Sequence, residues 1–156
     1  MDNRKYLKKT IQLAVENARN ADGPFGAIVV DKFGDIIGTG QNKVTASNDP
    51  TAHAEVQAIR QACENLDTFQ LTECTLYTSC EPCPMCLGAI YWARVEKVFY
   101  AADQKLAAAG GFDDQFIYEE INKDYDKRKI PFYSIDLKEK NAPFEEWHKQ
   151  EQKVEY

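Results

Sequence analysis

The sequence predicts a single domain of the α/β class. Strand-like segments at 74–79 and 95–101 flank a helix-like segment at 81–93, an order typical of two parallel strands joined by a right-handed crossover. An amphipathic helix pattern and a hairpin pattern precede this unit. No internal repeat, low-complexity tract or linker divides the 156 residues, a length that permits one sizeable core. One α/β domain over residues 1–156 therefore accounts for the chain.

The first half of the chain supplies a helix, a hairpin and a second helix. Apolar residues recur at helical spacing over 4–19, with Lys and Arg on the other side, which predicts an amphipathic helix. Two β-rich runs at 25–30 and 36–41, separated by a short turn, predict a hairpin. Cap-type residues and a proline then predict a helix that begins near Thr51 or Ala52 and carries His53 and Glu55 in its first turn.

The second half continues past the strand–helix–strand unit. A small-residue stretch at 104–111 and a loop at 111–114 lead into a short helical run at 116–121. A strand-like segment at 131–137 and a final amphipathic segment at 142–151 complete the chain.

Composition and charge restrict the class of partner. The chain is 44% hydrophobic and 28% charged, as globular proteins are. Its N-terminal apolar run is broken by Gln12, Glu16 and Asn17, which fits neither a signal peptide nor a membrane span, so we expect a cytoplasmic protein without a membrane partner. The formal net charge of −6 makes nucleic acid an unlikely partner, because phosphate binding relies on Lys and Arg.

Three of the five cysteines lie within seven residues, which favours a metal or catalytic site over a disulfide framework. Cys83 and Cys86 are three apart at a predicted helix start, so they share one face beside unpaired backbone N–H groups. Such a pair alone is equally typical of a redox site. His53 provides a further candidate ligand, and we expect two helix N-termini to face each other, one with His53 and Glu55, the other with the two cysteines.

Cys80 is predicted to be a core residue rather than a fourth ligand. It precedes Glu81 and Pro82, where the chain is held extended, and strand alternation places it on the same sheet face as Cys74. One imidazole and two thiolates leave the fourth zinc position to water, which is the catalytic pattern. Such a water loses a proton near neutral pH, and Glu55 is the carboxylate expected to take that proton and pass it on.

At these residues the sequence resembles the zinc-dependent deaminases of the cytidine deaminase superfamily, through His-Ala-Glu at 53–55 and Pro-Cys-Pro-Met-Cys at 82–86. The segments at 48–60, 76–94 and 108–121, together with the C-terminal residues, extend this resemblance to the bacterial guanine deaminase family over essentially the full length. Related tRNA adenosine deaminases share the two zinc motifs, so the segment at 112–114 and the tail favour guanine.

The resemblance implies a cytidine deaminase-like fold, a three-layer α/β/α sandwich with a mixed five-stranded sheet. It implies one zinc ion per subunit, held by His53, Cys83 and Cys86. Guanine would be hydrolysed to xanthine and ammonia, with zinc-bound hydroxide as the nucleophile and Glu55 as the proton shuttle.

It also implies contacts to a purine base. Asn42 would donate a hydrogen bond to the ring, and Asp114 would accept one from the amino group that is lost. Without the resemblance, Asp113 and Asp114 beside two glycines would favour a simple turn. Further candidate contacts are Phe25, Ala54 and Trp92.

The C-terminal tail, about 142–156, is predicted to cover the active site with Tyr156 as a lid residue. In some members of the family this segment is exchanged with the neighbouring subunit, which implies a homodimer.

The sequence also permits two alternatives. One is a tRNA adenosine deaminase or a cytosine deaminase of the same fold. The other, from a different class, is a structural zinc module that binds protein or nucleic acid, with Cys80 completing the coordination.

Overall fold

A four-stranded sheet organises residues 1–115 of the structure, a computed structural model that describes residues 1–156. The chain divides into two compact units, residues 1–115 and 116–156. The elements of the first unit are, in chain order, α1 (Asn3–Arg19), β1 (Gly26–Val30), β2 (Ile36–Gln41), α2 (Val44–Ser47), α3 (Ala54–Leu66), β3 (Thr75–Cys80), α4 (Pro84–Trp92), β4 (Lys97–Ala102) and α5 (Gln104–Ala109).

Helices and irregular segments make up the second unit. Helix α6 (Gln115–Ile121) begins at the boundary, two 3₁₀ turns follow at Tyr125–Lys127 and Lys138–Asn141, and α7 spans Ala142–Lys149. The assignment of one domain with an exchanged tail at about 142–156 stays a prediction. None of the helices is both long enough and apolar enough to cross a membrane.

The sheet has the order β2-β1-β3-β4. β1 pairs antiparallel with β2 and with β3, whereas β3 and β4 are parallel. The predicted hairpin and the predicted strand–helix–strand unit are therefore both present, and the mixed sheet is confirmed.

Helices cover both faces of the sheet. Successive side chains of β1 point to opposite faces, and all of them are apolar or small, so both faces must be buried. Ile28 and Val30 are fully buried against Tyr6 of α1 on one face. Ala27 and Val29 are fully buried on the other face, in a cluster that contains three alanines of α3 and Ile90 of α4. This gives the three-layer arrangement expected of an α/β domain.

The predicted fifth strand is absent, so the expectation of a five-stranded sheet is wrong. Residues 131–137 form no ladder, and every one of them is exposed, including Phe132, Ile135 and Leu137. Alternating apolar residues favour an extended backbone, but a strand also requires a neighbouring edge to accept its hydrogen bonds, and the sequence pattern does not show whether one is available.

Helix α3 begins at Ala54, two or three residues later than predicted. The backbone N–H of Lys43 donates to the carbonyl of Ala52 at 2.9 Å, which holds residue 52 outside the helix and makes His53 the N-cap. The small-residue stretch at 104–111 contains the unpredicted helix α5, whose N-cap Asp103 accepts from the N–H of Leu106 at 2.9 Å.

The close approach of β2 to α3 requires glycine. A Cβ at Gly40 would lie 2.0 Å from the carbonyl oxygen of Ala54 and 2.5 Å from the backbone nitrogen of Ala58, both of them backbone atoms. We expect Gly40→Ala to lower the free energy of unfolding by about 2–3 kcal/mol, because strand and helix must separate. Urea denaturation measures the effect. In the control Gly88→Ala, the added Cβ meets nothing within 4 Å, and the protein should be as stable as the wild type or more stable by up to about 1 kcal/mol. An equal loss in both variants would contradict the prediction.

Candidate active site

Two helix N-termini meet beside the end of β3. His53 is the N-cap of α3, and Cys83 is the N-cap of α4. His53 Nδ1 lies 3.5 Å from Cys83 Sγ and 3.5 Å from Cys86 Sγ. The three side chains form the only group of potential metal ligands that the structure brings together, with their ligand atoms all within 4.8 Å of one another. The sequence therefore identified all three members of this cluster.

Local structure explains why the sulfur atoms lie at the start of α4. Pro84 is the first residue of the helix, where its lack of an N–H group costs nothing. Cys83 precedes it with extended backbone, and its sulfur accepts from the N–H of Cys86 at 3.5 Å. His53 makes no capping hydrogen bond with its side chain, so its ring remains free to face the sulfurs.

The cluster separates the pKa values of its two thiols. The interaction with the Cys86 side chain, together with hydrogen bonds to His53 and to the N–H of Cys86, lowers the pKa of Cys83 to about 4. The same hydrogen bond with Cys83, together with burial, raises the pKa of Cys86. The hydrogen bond between His53 and Cys83 raises the pKa of His53. Cys83 is therefore the thiol of the pair that loses its proton more readily, and a bound metal ion would displace the proton of the other.

The donor set fits zinc. Zinc bonds of about 2.3 Å to sulfur and about 2.0–2.1 Å to nitrogen, at tetrahedral angles, place the two donor atoms about 3.5–3.6 Å apart. The distance from His53 Nδ1 to each sulfur is 3.5 Å. Two sulfurs and one imidazole nitrogen also form a ligand combination found in catalytic zinc sites.

Glu55 is buried beside this cluster, with only 5% of its surface exposed. Its Oε1 accepts from Thr78 Oγ1 at 2.9 Å, and its Oε2 accepts from Cys86 Sγ at 3.4 Å. Burial raises the pKa of Glu55, which makes its carboxyl group able to hold a proton at higher pH than an exposed glutamate can.

Thr78 was not identified from the sequence as a site residue. It is 1% exposed and contacts a carboxylate 23 positions away in the chain. Strand alternation places Thr78 on the same sheet face as Leu76, which packs against α3. The sequence pattern could therefore have predicted that the Thr78 side chain faces α3.

Cys80 lies outside the cluster at the last position of β3. It is 7% exposed, and its sulfur is 3.9 Å from the carbonyl oxygen of Asp103. Burial raises the pKa of its thiol to about 11, which disfavours the thiolate that zinc would need.

Five of the six predicted base contacts belong to residues 1–115. Asn42 follows β2 directly, is 9% exposed, and accepts from the N–H of Val44 through Oδ1 at 3.1 Å. Ala54 is fully buried between His53 and Glu55.

Phe25 lies against the segment at 112–114 that carries Asp114. The Phe25 ring contacts the Phe112 ring edge-on at 4.9 Å between centroids. Burial and then the negative charge of Cys83 raise the pKa of Asp114, so this carboxyl lies within electrostatic reach of the sulfur cluster.

Trp92 is not brought to the cluster. Trp92 is the last residue of α4 and is 62% exposed. It lies about 12 Å along the helix axis from Pro84, since each residue adds roughly 1.5 Å. Tyr156 belongs to the second unit and is 71% exposed. Their contacts with a base stay predictions.

Known proteins resemble this chain in sequence and in fold. Residues 1–102 match the cytidine and deoxycytidylate deaminase zinc-binding region. Guanine deaminase from Bacillus subtilis is 57% identical over 157 residues, covering 100% of both chains. A crystal structure of guanine deaminase from B. subtilis has a TM-score of 0.97 at 56% identity, covering 100% of this chain and 99% of that one.

More distant relatives match a shorter part of the chain. The tRNA-specific adenosine deaminase of Haemophilus influenzae is 40% identical over 115 residues, which cover 70% of this chain and 66% of that protein. A structure of guanine deaminase from Nitrosomonas europaea has a TM-score of 0.66 at 34% identity, covering 70% of this chain and 63% of that one. The resemblance first drawn from the zinc motifs is therefore confirmed, and the chain belongs to the cytidine and deoxycytidylate deaminase family of zinc-binding proteins.

Proposed function

We propose that this protein is a zinc-dependent guanine deaminase that converts guanine and water to xanthine and ammonia in purine catabolism or salvage. The observation that carries the proposal is the buried carboxyl of Glu55, hydrogen-bonded at one oxygen to Thr78 and directed with the other at the cluster of His53, Cys83 and Cys86. The choice of guanine is supported by the 57% identity to the B. subtilis enzyme over the whole chain, since the tRNA adenosine deaminase relative matches only 70% of it.

His53, Cys83 and Cys86 would hold one zinc ion per subunit. When bound there, zinc supplies a Lewis acid that makes water nucleophilic near neutral pH. Glu55 would take one proton from the attacking water at Oε2, the oxygen that faces the cluster, while Oε1 accepts from the Thr78 hydroxyl. It would deliver this proton to a ring nitrogen of guanine, then take the second proton from the hydroxyl group added to the ring carbon and pass it to the amino group, which leaves as ammonia.

Asn42 and Asp114 would orient the purine. The Oδ1 of Asn42 is taken by the N–H of Val44, which leaves its amide N–H groups to donate to an acceptor on the ring. Asp114 supplies a carboxylate that can accept from the departing amino group. Phe25 and Ala54 add apolar surface against the flat base, and Trp92 is a further candidate contact.

A substrate panel tests the proposal. We expect ammonia release from free guanine, and a kcat/KM at least about 100-fold lower for adenine, cytosine and a tRNA anticodon stem-loop, since each lacks part of the hydrogen-bonding pattern of guanine. Turnover of the RNA alone would favour the tRNA adenosine deaminase alternative and reject guanine. Turnover of cytosine alone would reject guanine as the substrate and favour a cytosine deaminase.

We also propose a homodimer in the cytoplasm whose tail, about 142–156, covers an active site with Tyr156 as the lid. The segment at about 142–156 carries an aromatic side chain, Tyr156, that can pack on a base.

Removal of Tyr156 should therefore raise KM for guanine and lower kcat/KM by about 10-fold, as expected for the loss of one aromatic contact of about 1.4 kcal/mol. Steady-state kinetics of the 1–155 chain measures this effect. The full-length variant Gln152→Ala is the control and should behave as the wild type. Unchanged kcat and KM after the removal of Tyr156 would reject the lid.

A further inference from the structure

A fully buried amide side chain, Asn17 of α1, joins the first helix to the segment that carries Asn42. Its Nδ2 donates to the carbonyl of Gly23 at 2.8 Å and to the carbonyl of Asn42 at 2.8 Å. Its Oδ1 accepts from Lys43 Nζ at 3.0 Å. Two acceptors face the nitrogen and one donor faces the oxygen, so the orientation of the amide is unambiguous and its burial is compensated.

The three hydrogen-bond partners of Asn17 are Asn42 itself and two residues next to it, Gly23 and Lys43. Gly23 packs so closely on Asn42 that a Cβ at position 23 would lie 2.8 Å from Asn42 Cγ. Lys43 is the next residue in the chain, and its ammonium group also lies 3.6 Å from Asp22 Oδ2. A single buried side chain thus fixes the backbone of Asn42 and the loop that lines its side chain.

The same segment is tied to the metal cluster. The backbone N–H of Lys43 donates to the carbonyl of Ala52, the residue before His53, at 2.9 Å. Asn42 therefore has two anchors, one to the start of α3 and the other to Asn17. The anchor to α3 sets the distance between Asn42 and His53. The anchor to Asn17 sets the direction of the backbone from which the Asn42 side chain projects.

The orientation of the Asn42 amide is fixed as well. A backbone N–H group requires an acceptor, so the contact with the N–H of Val44 at 3.1 Å must be made by Oδ1. Nδ2 has no acceptor within the chain and is not sealed from solvent. A donor held in one direction discriminates between bases only if the backbone that carries it does not shift.

We propose that Asn17 is a positioning residue for purine recognition that acts through Asn42. The inference rests on the proposed function, because it assigns to Asn17 the task of holding the donor that binds the ring. Asn17 itself touches neither the predicted metal ligands nor Glu55.

A double-mutant cycle on kcat/KM for free guanine tests this inference. Asn17→Asp keeps the size of the side chain and the contact with Lys43 but replaces both donors with an oxygen that faces two carbonyl oxygens. We expect kcat/KM to fall about 10-fold, the equivalent of one lost neutral hydrogen bond to the base. In an Asn42→Ala background the same substitution should change kcat/KM less than about 2-fold, because the donor that Asn17 positions is already gone.

Thr10→Ala is the matched control. Thr10 is also fully buried on α1, but its hydroxyl donates only to the carbonyl of Leu7 in the same helix, at 2.7 Å. This variant should lose thermal stability and keep kcat/KM within about 2-fold of the wild type. If Asn17→Asp does not fold, Asn17→Ala carries the cycle without adding a charge.

Equal falls in kcat/KM with and without Asn42→Ala would overturn the inference, since Asn17 would then act independently of Asn42. It would also be overturned if Asn42→Ala left kcat/KM at the wild-type value while guanine was still turned over, an outcome that leaves the proposed function in place. If the wild type releases no ammonia from guanine, the proposed function fails instead.

Discussion

Glu55→Gln is expected to lower kcat for guanine by at least about 10³-fold, in the upper part of the range attributed to general acid–base catalysis. The amide has nearly the shape of the carboxyl group and can still accept from the Thr78 hydroxyl, but it cannot carry a proton from water to the ring. Because both proton transfers of the proposed reaction pass through this one side chain, no second group of the cluster compensates. Single-turnover measurement of xanthine formation checks the prediction.

Zinc content separates this loss from a loss of the metal site. Glu55 is not one of the three grouped ligands, so Glu55→Gln should retain about one zinc ion per subunit. Thr78→Val, which keeps the shape of the side chain and removes only the hydroxyl bonded to Oε1, should reduce kcat about 10-fold. A Glu55→Gln enzyme with more than about a tenth of wild-type kcat would contradict the role of proton shuttle.

The structural zinc module makes a different prediction for the same variant. In that case the wild type would release ammonia from no base, and Glu55→Gln would change neither zinc content nor stability beyond the loss of one buried hydrogen bond. The burial of Glu55 argues against this alternative. Burying a carboxyl group that is only 5% exposed destabilises the folded state, and such groups are concentrated at functional sites.

Sequence patterns identified the local part of the site. His53, Cys83 and Cys86 lie at helix starts that cap-type residues and prolines mark, and such signals act over only a few positions. Thr78 and Asn17 were missed because their partners lie 23 and 25 positions away, and periodicity shows which face a side chain occupies but not what it meets there.

The two errors in the predicted fold have different origins. The segment at 131–137 has the alternation of a strand, yet pairing with an edge decides whether a strand forms, and here no ladder does. Helix α5 was missed for the opposite reason. Its small residues were treated as a loop, although alanine has the highest helix propensity and Asp103 caps the first turn.

The three cysteines of the sequence Cys-Glu-Pro-Cys-Pro-Met-Cys should respond differently to substitution. Cys83→Ser and Cys86→Ser should each lose most of the bound zinc and all measurable deamination, since each removes one of only three protein ligands. Cys80→Ala should retain about one zinc ion per subunit and most of the activity, at a cost of about 1 kcal/mol in the free energy of unfolding. Atomic absorption on dialysed protein and guanine turnover measure both effects.

Comparing Cys80→Ala with Cys83→Ser distinguishes a catalytic from a structural metal site. A fourth cysteine ligand would close the coordination of zinc and leave no position for water, so the activity of the Cys80→Ala variant is as informative as its zinc content. Pro82 holds the residue before it extended, which separates Cys80 from the start of α4. Burial raises the pKa of the Cys80 thiol to about 11, whereas hydrogen bonds with Cys86 and His53 lower the pKa of Cys83 to about 4. Zinc loss in Cys80→Ala equal to that in Cys83→Ser would overturn this distinction. Retained zinc with retained turnover would require the fourth position to be open, which is the condition that Glu55 needs in order to act on water.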